Sequence, residues 1–211
     1  MIRNRFFLIS FIFLAVVMIS CQQSERTYMI ETNMGNIQVK LYEKTPLHKE
    51  NFEKLVAAKM YENVLFHRII SGFMIQTGDP MTKPDSDSES LKNELNYTIP
   101  AEFVPEYFHK RGALAAARTN NPQKRSSPSQ FYIVHGRKYD NDELNQLDIK
   151  FSESQRMAYK MIGGAPFLDQ DYTVFGEVVK GLEVVDAIAS VPTGAGNFPL
   201  KDVRILRIVK K

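Results

Sequence analysis

The chain has 211 residues, of which 44% are hydrophobic and 24% are charged, as is typical of one globular domain with a short appendage. A formal net charge of +3 gives no support to nucleic-acid binding, and the composition excludes both a disordered chain and a protein with several membrane spans. A single cysteine cannot form an internal disulfide, so a packed core must hold the domain together.

The N-terminus has the pattern of a secretory signal. Two arginines precede an apolar run at residues 6–17, which is shorter than the roughly 20 residues of a membrane-spanning helix. The segment that ends at Cys21 is similar to a bacterial lipoprotein cleavage site. We therefore predict a lipoprotein signal peptide at residues 1–20, lipidation of Cys21 and a lipidated tether at residues 21–26. The alternative is an uncleaved anchor followed by a free thiol.

Lipidation of Cys21 predicts a location in the cell envelope, anchored to a membrane and facing the periplasm or the cell exterior. Cleavage would remove Arg3 and Arg5 but no acidic residue, leaving 25 basic and 24 acidic side chains. The mature chain is therefore nearly neutral, which again argues against a nucleic-acid partner.

A β-hairpin and a helix are predicted next. Residues 28–32 and 37–41 flank a turn at residues 33–36 that contains glycine and asparagine, and this pattern favours a hairpin. Thr45 and Pro46 then predict the start of a helix, with Thr as the N-cap and Pro in the first helical position.

A fixed cation stands among apolar residues in the β-rich segment 64–70. Alternation predicts that Arg68 shares a face with Phe66 and Ile70, while His67 points to the opposite face as a satisfied core histidine. The Arg68 guanidinium stays charged and presents several donors, yet no acid or thiol lies beside it in this segment. Such a group suits the stabilisation of a polar transition state. The alternative is an ordinary ion pair with an acid elsewhere in the fold.

The remaining segments indicate a mostly β domain. Residues 85–94 have the acidic, serine-rich composition of a surface loop. Residues 112–117 are all small apart from one leucine, and propensity alone favours a helix there, with a strand as the alternative. Further strands are predicted at residues 130–134, 172–179 and 203–208, and helices within residues 140–160 and 182–189. Together these elements predict an antiparallel barrel capped at its ends.

Three motifs follow one another in a specific order. They are FHRIISGFMIQ at residues 66–76, GALAAA at 112–117 with SQFYI at 129–133, and FLD at 167–169 with VFG at 174–176. In this order they resemble the cyclophilin-type peptidyl-prolyl isomerases over about residues 27–211. The resemblance implies a mainly β fold, a closed eight-stranded antiparallel β-barrel capped by two helices, with a peptide groove on its outer surface. It makes residues 112–117 a strand and about 136–165 a helical insertion.

The resemblance also implies the residues of the site. Arg68 is implied to be catalytic. The implied substrate-binding residues are Phe73, Met74, Gln76, Ala117, Arg118, Gln130, Phe131, Phe167, Leu168 and Tyr172. Four of these, Phe73, Met74, Phe131 and Leu168, are expected to form the wall of a pocket for the proline ring. The two glutamines are expected to orient the peptide and the arginine, and the backbone of Arg118 is expected to hold the peptide.

Several positions depart from the common family pattern. Phe167 stands where many members have Trp, and Tyr172 stands where many have His, so an aromatic lip is kept but the indole donor used by cyclosporin-class inhibitors is missing. Arg118 stands where Asn is common, and Lys124 and Arg125 follow it in a long loop. We therefore expect a preference for acidic residues beside the proline.

The sequence as a whole predicts a monomeric peptidyl-prolyl cis-trans isomerase that assists the folding of exported proteins. Its expected partners are proline-containing polypeptides and, through Cys21, a membrane, with no nucleic acid and no cofactor. The four histidines lack the spacing of metal ligands, so no metal is expected. The main alternative is a lipid-anchored peptide-binding or chaperone module with little isomerase activity. A solute-binding lipoprotein is disfavoured because it needs two α/β lobes.

Overall fold

The computed structural model describes residues 26–211, so the predictions for the signal peptide and Cys21 lie outside the described residues. The strands are β1 Thr27–Thr32, β2 Gly35–Leu41, β3 Arg68–Ile70, β4 Met74–Thr77, β5 Ala113–Ala116, β6 Phe131–Val134, β7 Val174–Lys180 and β8 Ile205–Lys210. They form one antiparallel sheet in the order β3-β4-β6-β5-β7-β2-β1-β8. The mainly β fold, the first hairpin and the strand at residues 112–117 are therefore as predicted.

The sheet curls into a half-barrel, so the predicted closed barrel is corrected. In the described part of the chain, the edge strands β3 and β8 share no ladder, and the seam between them is spanned by an isolated bridge between Leu65 and Arg204. Beside this bridge the Phe66 N–H donates to the Val203 carbonyl at 2.8 Å. Because β3 has only three residues, it is too short to form a regular ladder along β8.

Five α-helices accompany the sheet within residues 26–211. They are α1 Pro46–Ala57, α2 Ser88–Glu94, α3 Asn141–Asn145, α4 Glu153–Met161 and α5 Leu182–Ala189. None of them has the length and apolar character that crossing a membrane requires. α3 and α4 agree with the helices predicted within residues 140–160. α2 occupies the segment predicted as a loop, because the Asp87 carboxylate caps it by accepting from the Glu89 and Ser90 N–H groups.

The start of α1 is anchored by a distant acid. Thr45 holds the N-cap position as predicted, but its side chain makes no capping hydrogen bond. The Glu102 carboxylate instead accepts from the N–H groups of Leu47 and His48 at 3.1 and 3.0 Å. A negative charge at a helix N-terminus also opposes the positive end of the helix dipole. The helix is thereby tied to the segment that precedes β5.

Alternation along the strands separates two apolar clusters. Ile75 and Ile133 point to the inner cluster, which is the main core and also receives side chains from α1 and α5. Their neighbours Met74 and Tyr132 point to the outer cluster, which includes Leu168. Because successive strand residues face opposite sides of a sheet, the outer cluster underlies the outer surface of the half-barrel.

Phe66 lies in the inner cluster, so the prediction that it shares a face with Arg68 is wrong. Residue 66 precedes β3 and is not part of a strand, which means that regular alternation begins only at Arg68. His67 is partly buried and its Nδ1 atom has no hydrogen-bond partner among the described residues. It is therefore not the satisfied core histidine that the alternation indicated.

Candidate active site

An open groove with a cavity volume of about 170 Å³ lies on the outer surface, over the outer cluster. It is lined by Arg68, Phe73, Met74, Gln76, Ala117, Arg118, Tyr132, Leu168 and Tyr172. All of these except Tyr132 are among the site residues predicted from the sequence. The three predicted site residues that do not line the groove are Gln130, Phe131 and Phe167.

Arg68 is the cation of the groove that has no acidic partner. It opens β3, where it pairs in register with Gln76 of β4, and its Nη1 donates to the Gln76 Oε1 at 3.4 Å. Its Cζ lies 5.9 Å from the centroid of the Phe73 ring. Within residues 26–211 it forms no ion pair. The guanidinium is therefore held in position by an amide and a ring, with donors left for a ligand.

Gln130 supports the groove from behind. Its Oε1 accepts from the Gln76 Nε2 at 3.1 Å, and its own Nε2 donates to the Asp79 Oδ2 at 3.2 Å. Gln130 therefore lies outside the lining but is connected to Arg68 through one intervening amide. The prediction that both glutamines belong to the site agrees with this arrangement.

The apolar side of the groove is built from two separated segments. Met74 of β4 and Leu168, in the turn Pro166–Leu168, are buried, and Phe73 from the β3–β4 turn is partly buried beside them. Phe167 is 46% exposed and its ring centroid lies 5.3 Å from that of Phe73. Phe167 therefore forms the rim of the wall rather than its surface.

Phe131 belongs to the core, so its predicted place in the groove wall is corrected. It is 1% exposed and packs in the inner cluster, with its ring centroid 5.4 Å from that of Tyr61. The next residue, Tyr132, points to the groove. The alternation of β6 contains the signal that identifies it, because Gln130 and Tyr132 are two residues apart and share the outer face.

A buried polar network holds the hydroxyl of Tyr132. This hydroxyl lies 3.0 Å from the His109 Nε2, and the His109 Nδ1 lies 2.8 Å from the Asp169 Oδ1. The hydroxyl of Tyr159, from α4, donates to the other Asp169 oxygen at 2.6 Å. Because a carboxylate only accepts, the His109 Nδ1 carries a proton and donates to Asp169. The network thus joins the groove to α4.

Arg118 enters the groove with its charge already paired. Its Nη2 donates to the Asp171 Oδ2 at 2.8 Å, and its Cζ lies 4.6 Å from the Tyr172 ring centroid. Lys124 pairs with the other oxygen of Asp171 at 3.0 Å. Partial burial opposes the shift, but hydrogen bonds from Lys124 and Arg118 and their charges hold the pKa of Asp171 below its ordinary value. The backbone N–H and C=O of Arg118 bond to no group within residues 26–211.

The chemistry of the groove is limited to hydrogen-bond donation and apolar contact. Burial raises the pKa of Tyr132 well above its ordinary value, so this phenol stays protonated near neutral pH. Among the described residues, no three His, Cys, Asp or Glu side chains cluster in a way that could hold a metal ion. These groups suit the stabilisation of a bent or twisted ligand better than they suit bond cleavage.

Comparison with known proteins identifies the family to which the chain is similar. The family model described as cyclophilin type peptidyl-prolyl cis-trans isomerase matches residues 27–210. A peptidyl-prolyl cis-trans isomerase of Acinetobacter baylyi is 36% identical over 186 residues, which cover 85% of this chain and 82% of that protein. A relative from Staphylococcus haemolyticus is 35% identical over 186 residues, covering 87% of this chain and 90% of its own.

Solved structures show the same fold. A crystal structure of a cyclophilin type peptidyl-prolyl cis-trans isomerase from Cryptosporidium parvum has a TM-score of 0.66 at 24% identity and covers 89% of this chain and 98% of its own. A second structure of that protein, in the presence of the dipeptide Ala-Pro, has a TM-score of 0.64 at 24% identity and covers 87% of this chain and 97% of its own. At this identity the likeness is one of fold.

Proposed function

The chain belongs to the cyclophilin-type peptidyl-prolyl cis-trans isomerase family, and we propose that Arg68, in the outer groove, catalyses rotation about X–Pro peptide bonds. The observation that carries the proposal is the Arg68 guanidinium, which has no ion pair within residues 26–211 and faces the same groove as an apolar wall. A partly buried cation of this kind gains most from a ligand that brings its own acceptor.

The chemistry of the X–Pro bond supplies that acceptor. Amide resonance sets a rotation barrier of about 18–20 kcal/mol, and uncatalysed isomerisation takes tens of seconds or more. Halfway through the rotation the prolyl nitrogen loses its conjugation, and its lone pair becomes available to a donor. A donor at this nitrogen binds the twisted form better than either planar isomer, which is the requirement for catalysis.

The energies show that Arg68 does not act alone. A ten-thousandfold acceleration requires about 5–6 kcal/mol of extra transition-state stabilisation. A hydrogen bond from a charged donor supplies roughly 1.5–3 kcal/mol. The remainder must come from contacts that hold the peptide in the twisted geometry.

Three parts of the groove are suited to hold the peptide. Phe73, Met74 and Leu168 offer an apolar wall for the proline ring. The small side chain of Ala117 leaves space for close approach, and the free backbone groups of Arg118 are suited to hold the peptide chain. No group in this scheme gains or loses a proton, so a pH profile of kcat/KM with a pKa between about 6 and 9 would contradict it.

The most direct test of the activity separates catalysis from binding. Proline-containing peptides, including ones with an Ala-Pro unit, are mixed with the purified full-length chain, and exchange between the cis and trans signals is followed by NMR. We expect exchange at substoichiometric amounts of protein. Peptide binding without faster exchange would favour the alternative, a binding or chaperone module.

The predicted anchor suggests the natural substrates. The predicted signal peptide at residues 1–20 and the predicted lipidation of Cys21 support a protein tethered in the cell envelope that acts on exported polypeptides. Arg26, the first described residue and the last of the predicted tether, forms an ion pair with Glu53 of α1 at 3.1 Å.

Metabolic labelling with a fatty-acid analogue tests the anchor. The wild-type chain should be labelled and recovered with membranes in a bacterial host, and Cys21→Ser should remove the label. Equal labelling of the two proteins would refute lipidation at Cys21. Recovery of an unlabelled wild-type chain with its N-terminal residues retained would favour the uncleaved anchor.

A further inference from the structure

Asp79 lies at the far end of the chain of side-chain amides, Gln130 and Gln76, that reaches Arg68. Its Oδ2 accepts from the Gln130 Nε2 at 3.2 Å, and its Oδ1 accepts from the Met81 N–H at 3.0 Å, which caps the turn Pro80–Thr82. Both carboxylate oxygens therefore accept a hydrogen bond, one from a backbone N–H group and one from the amide chain.

Gly78 brings Asp79 to this position. It adopts a φ of +87°, and a Cβ atom there would lie 2.4 Å from the Ser129 carbonyl oxygen and 3.2 Å from the Gln130 Cα. Only glycine fits both the left-handed backbone and this close approach. The chain after β4 is thus held directly against the start of β6, where Gln130 lies.

The two residues at the ends of the amide chain, Arg68 and Asp79, fix the direction of its hydrogen bonds. Arg68 can only donate hydrogen bonds, and an ionised Asp79 can only accept them. Between them, Gln76 and Gln130 each have one oxygen and one NH₂ group, so every link is satisfied only when both amides face the same way. In that arrangement Gln76 presents its oxygen to Arg68.

We propose that Asp79 is a positioning residue, which sets the direction of the Gln130 and Gln76 amides and thereby holds the Arg68 guanidinium at the prolyl nitrogen. This inference rests on the proposed function of the groove. Without an acceptor at position 79 the amides can turn over, and the Gln76 NH₂ group then faces the guanidinium donor to donor. Arg68 loses its orientation even though it remains in the groove.

The substitution Asp79→Asn separates the effect on the amide chain from an effect on the fold. Asn caps helical turns as well as Asp, so its oxygen is expected to stay on the Met81 N–H. Its NH₂ group then faces Gln130, and the amide chain is forced to reverse. We expect kcat/KM to fall about three- to tenfold through kcat, the effect of one misaligned hydrogen bond, with the unfolding midpoint unchanged.

A second substitution should restore the original direction of the hydrogen bonds in the amide chain. In Asp79→Asn/Gln130→Glu the new carboxylate accepts from Asn at position 79 and from Gln76, and the net charge of the pair is the same as in the wild type. Gln130→Glu alone should lower activity because two carboxylates then face each other. We expect the double variant to be more active than either single variant and within about twofold of the wild type.

The assays are best run at pH 8. His67 lies near Asp79 and Gln130, and burial lowers its pKa, so it is neutral at this pH in the wild type. A wild-type value of kcat/KM in Asp79→Asn, or a double variant no better than Asp79→Asn, would overturn the inference while the isomerase function stood.

NMR gives a readout that does not depend on catalysis. The side-chain amide signals of Gln76 should shift in Asp79→Asn and return towards their wild-type positions in the double variant. An inactive wild-type chain would refute the proposed function, but this restoration would still support the directed chain of amides. Gln76 signals that are unchanged in Asp79→Asn would refute it.

Discussion

The hydroxyl of Tyr132 is hydrogen-bonded to the His109 Nε2 at 3.0 Å, so a wall residue of the groove is fixed by a histidine that is itself fully buried. His109 is held in turn by Asp169, the residue that directly follows the pocket residue Leu168. The orientation of the phenol and the position of Leu168 therefore depend on the same carboxylate. Tyr159 completes the network from α4 and connects that helix to the groove.

Tyr159→Phe tests the contribution of this network to stability. The substitution removes the hydroxyl that donates to Asp169 at 2.6 Å and leaves one buried carboxylate oxygen without a donor. We expect the free energy of unfolding to fall by about 1–3 kcal/mol, measured by urea denaturation. Tyr107→Phe is the matched control, because the Tyr107 hydroxyl makes no hydrogen bond within residues 26–211. Equal losses in the two variants would contradict the role of the network.

Acid should destabilise the domain before its carboxylates titrate. Burial lowers the pKa of His48, against the opposing effect of Glu102, and burial also lowers the pKa of His67 and His135. The unfolded chain, in which a histidine titrates near 6.5, then binds more protons than the folded chain. Stability is therefore complete above about pH 6.5 and falls as the pH decreases through the lowered pKa values.

Urea midpoints measured between pH 8 and pH 5 check this expectation. The midpoint should be constant at the upper end and decrease below about pH 6.5. The depressed pKa of Asp171 affects stability only at lower pH, in the carboxylate range, so it does not account for a decrease in this window. A midpoint that stays constant or increases towards pH 5 would show that these histidines are not buried in their neutral form.

Asp171 is expected to mask the charge of Arg118 in the groove. The sequence predicts a preference for acidic residues beside the proline, but the carboxylate of Asp171 already pairs with both Arg118 and Lys124. The wild-type preference should therefore be small. Asp171→Asn should raise the kcat/KM ratio of Glu-flanked over Lys-flanked peptides by about two- to fivefold, and added salt should reduce the gain. A ratio unchanged by the substitution would exclude a contribution of Arg118 to charge selection.

The part of the site that lies within one hairpin is predictable from the sequence. Arg68 and Gln76 meet because only seven residues, which include one tight turn, separate them, and Phe73 and Met74 lie between them in the same motif. Tyr132 could also have been found, since strand alternation puts it on the face of Gln130 and leaves Phe131 in the core.

Contacts between distant segments are not predictable in the same way. His109, Tyr159 and Asp169 come from three different segments, and only the folded chain brings them together. The open seam beside β3 has a similar cause, because the number of strands does not reveal that one of them is limited to three residues.

Arg68→Ala is the most direct test of the central claim. We expect kcat/KM for an X–Pro peptide to fall by at least about tenfold, as expected for the loss of a charged hydrogen bond, while the unfolding midpoint is kept. Arg68→Lys should be intermediate because it keeps the charge but loses the planar fork. Arg207→Ala, which removes a surface ion pair with Glu31 on the sheet, should keep full activity. Wild-type kcat/KM in a folded Arg68→Ala variant would contradict the assignment of Arg68 as the catalytic residue.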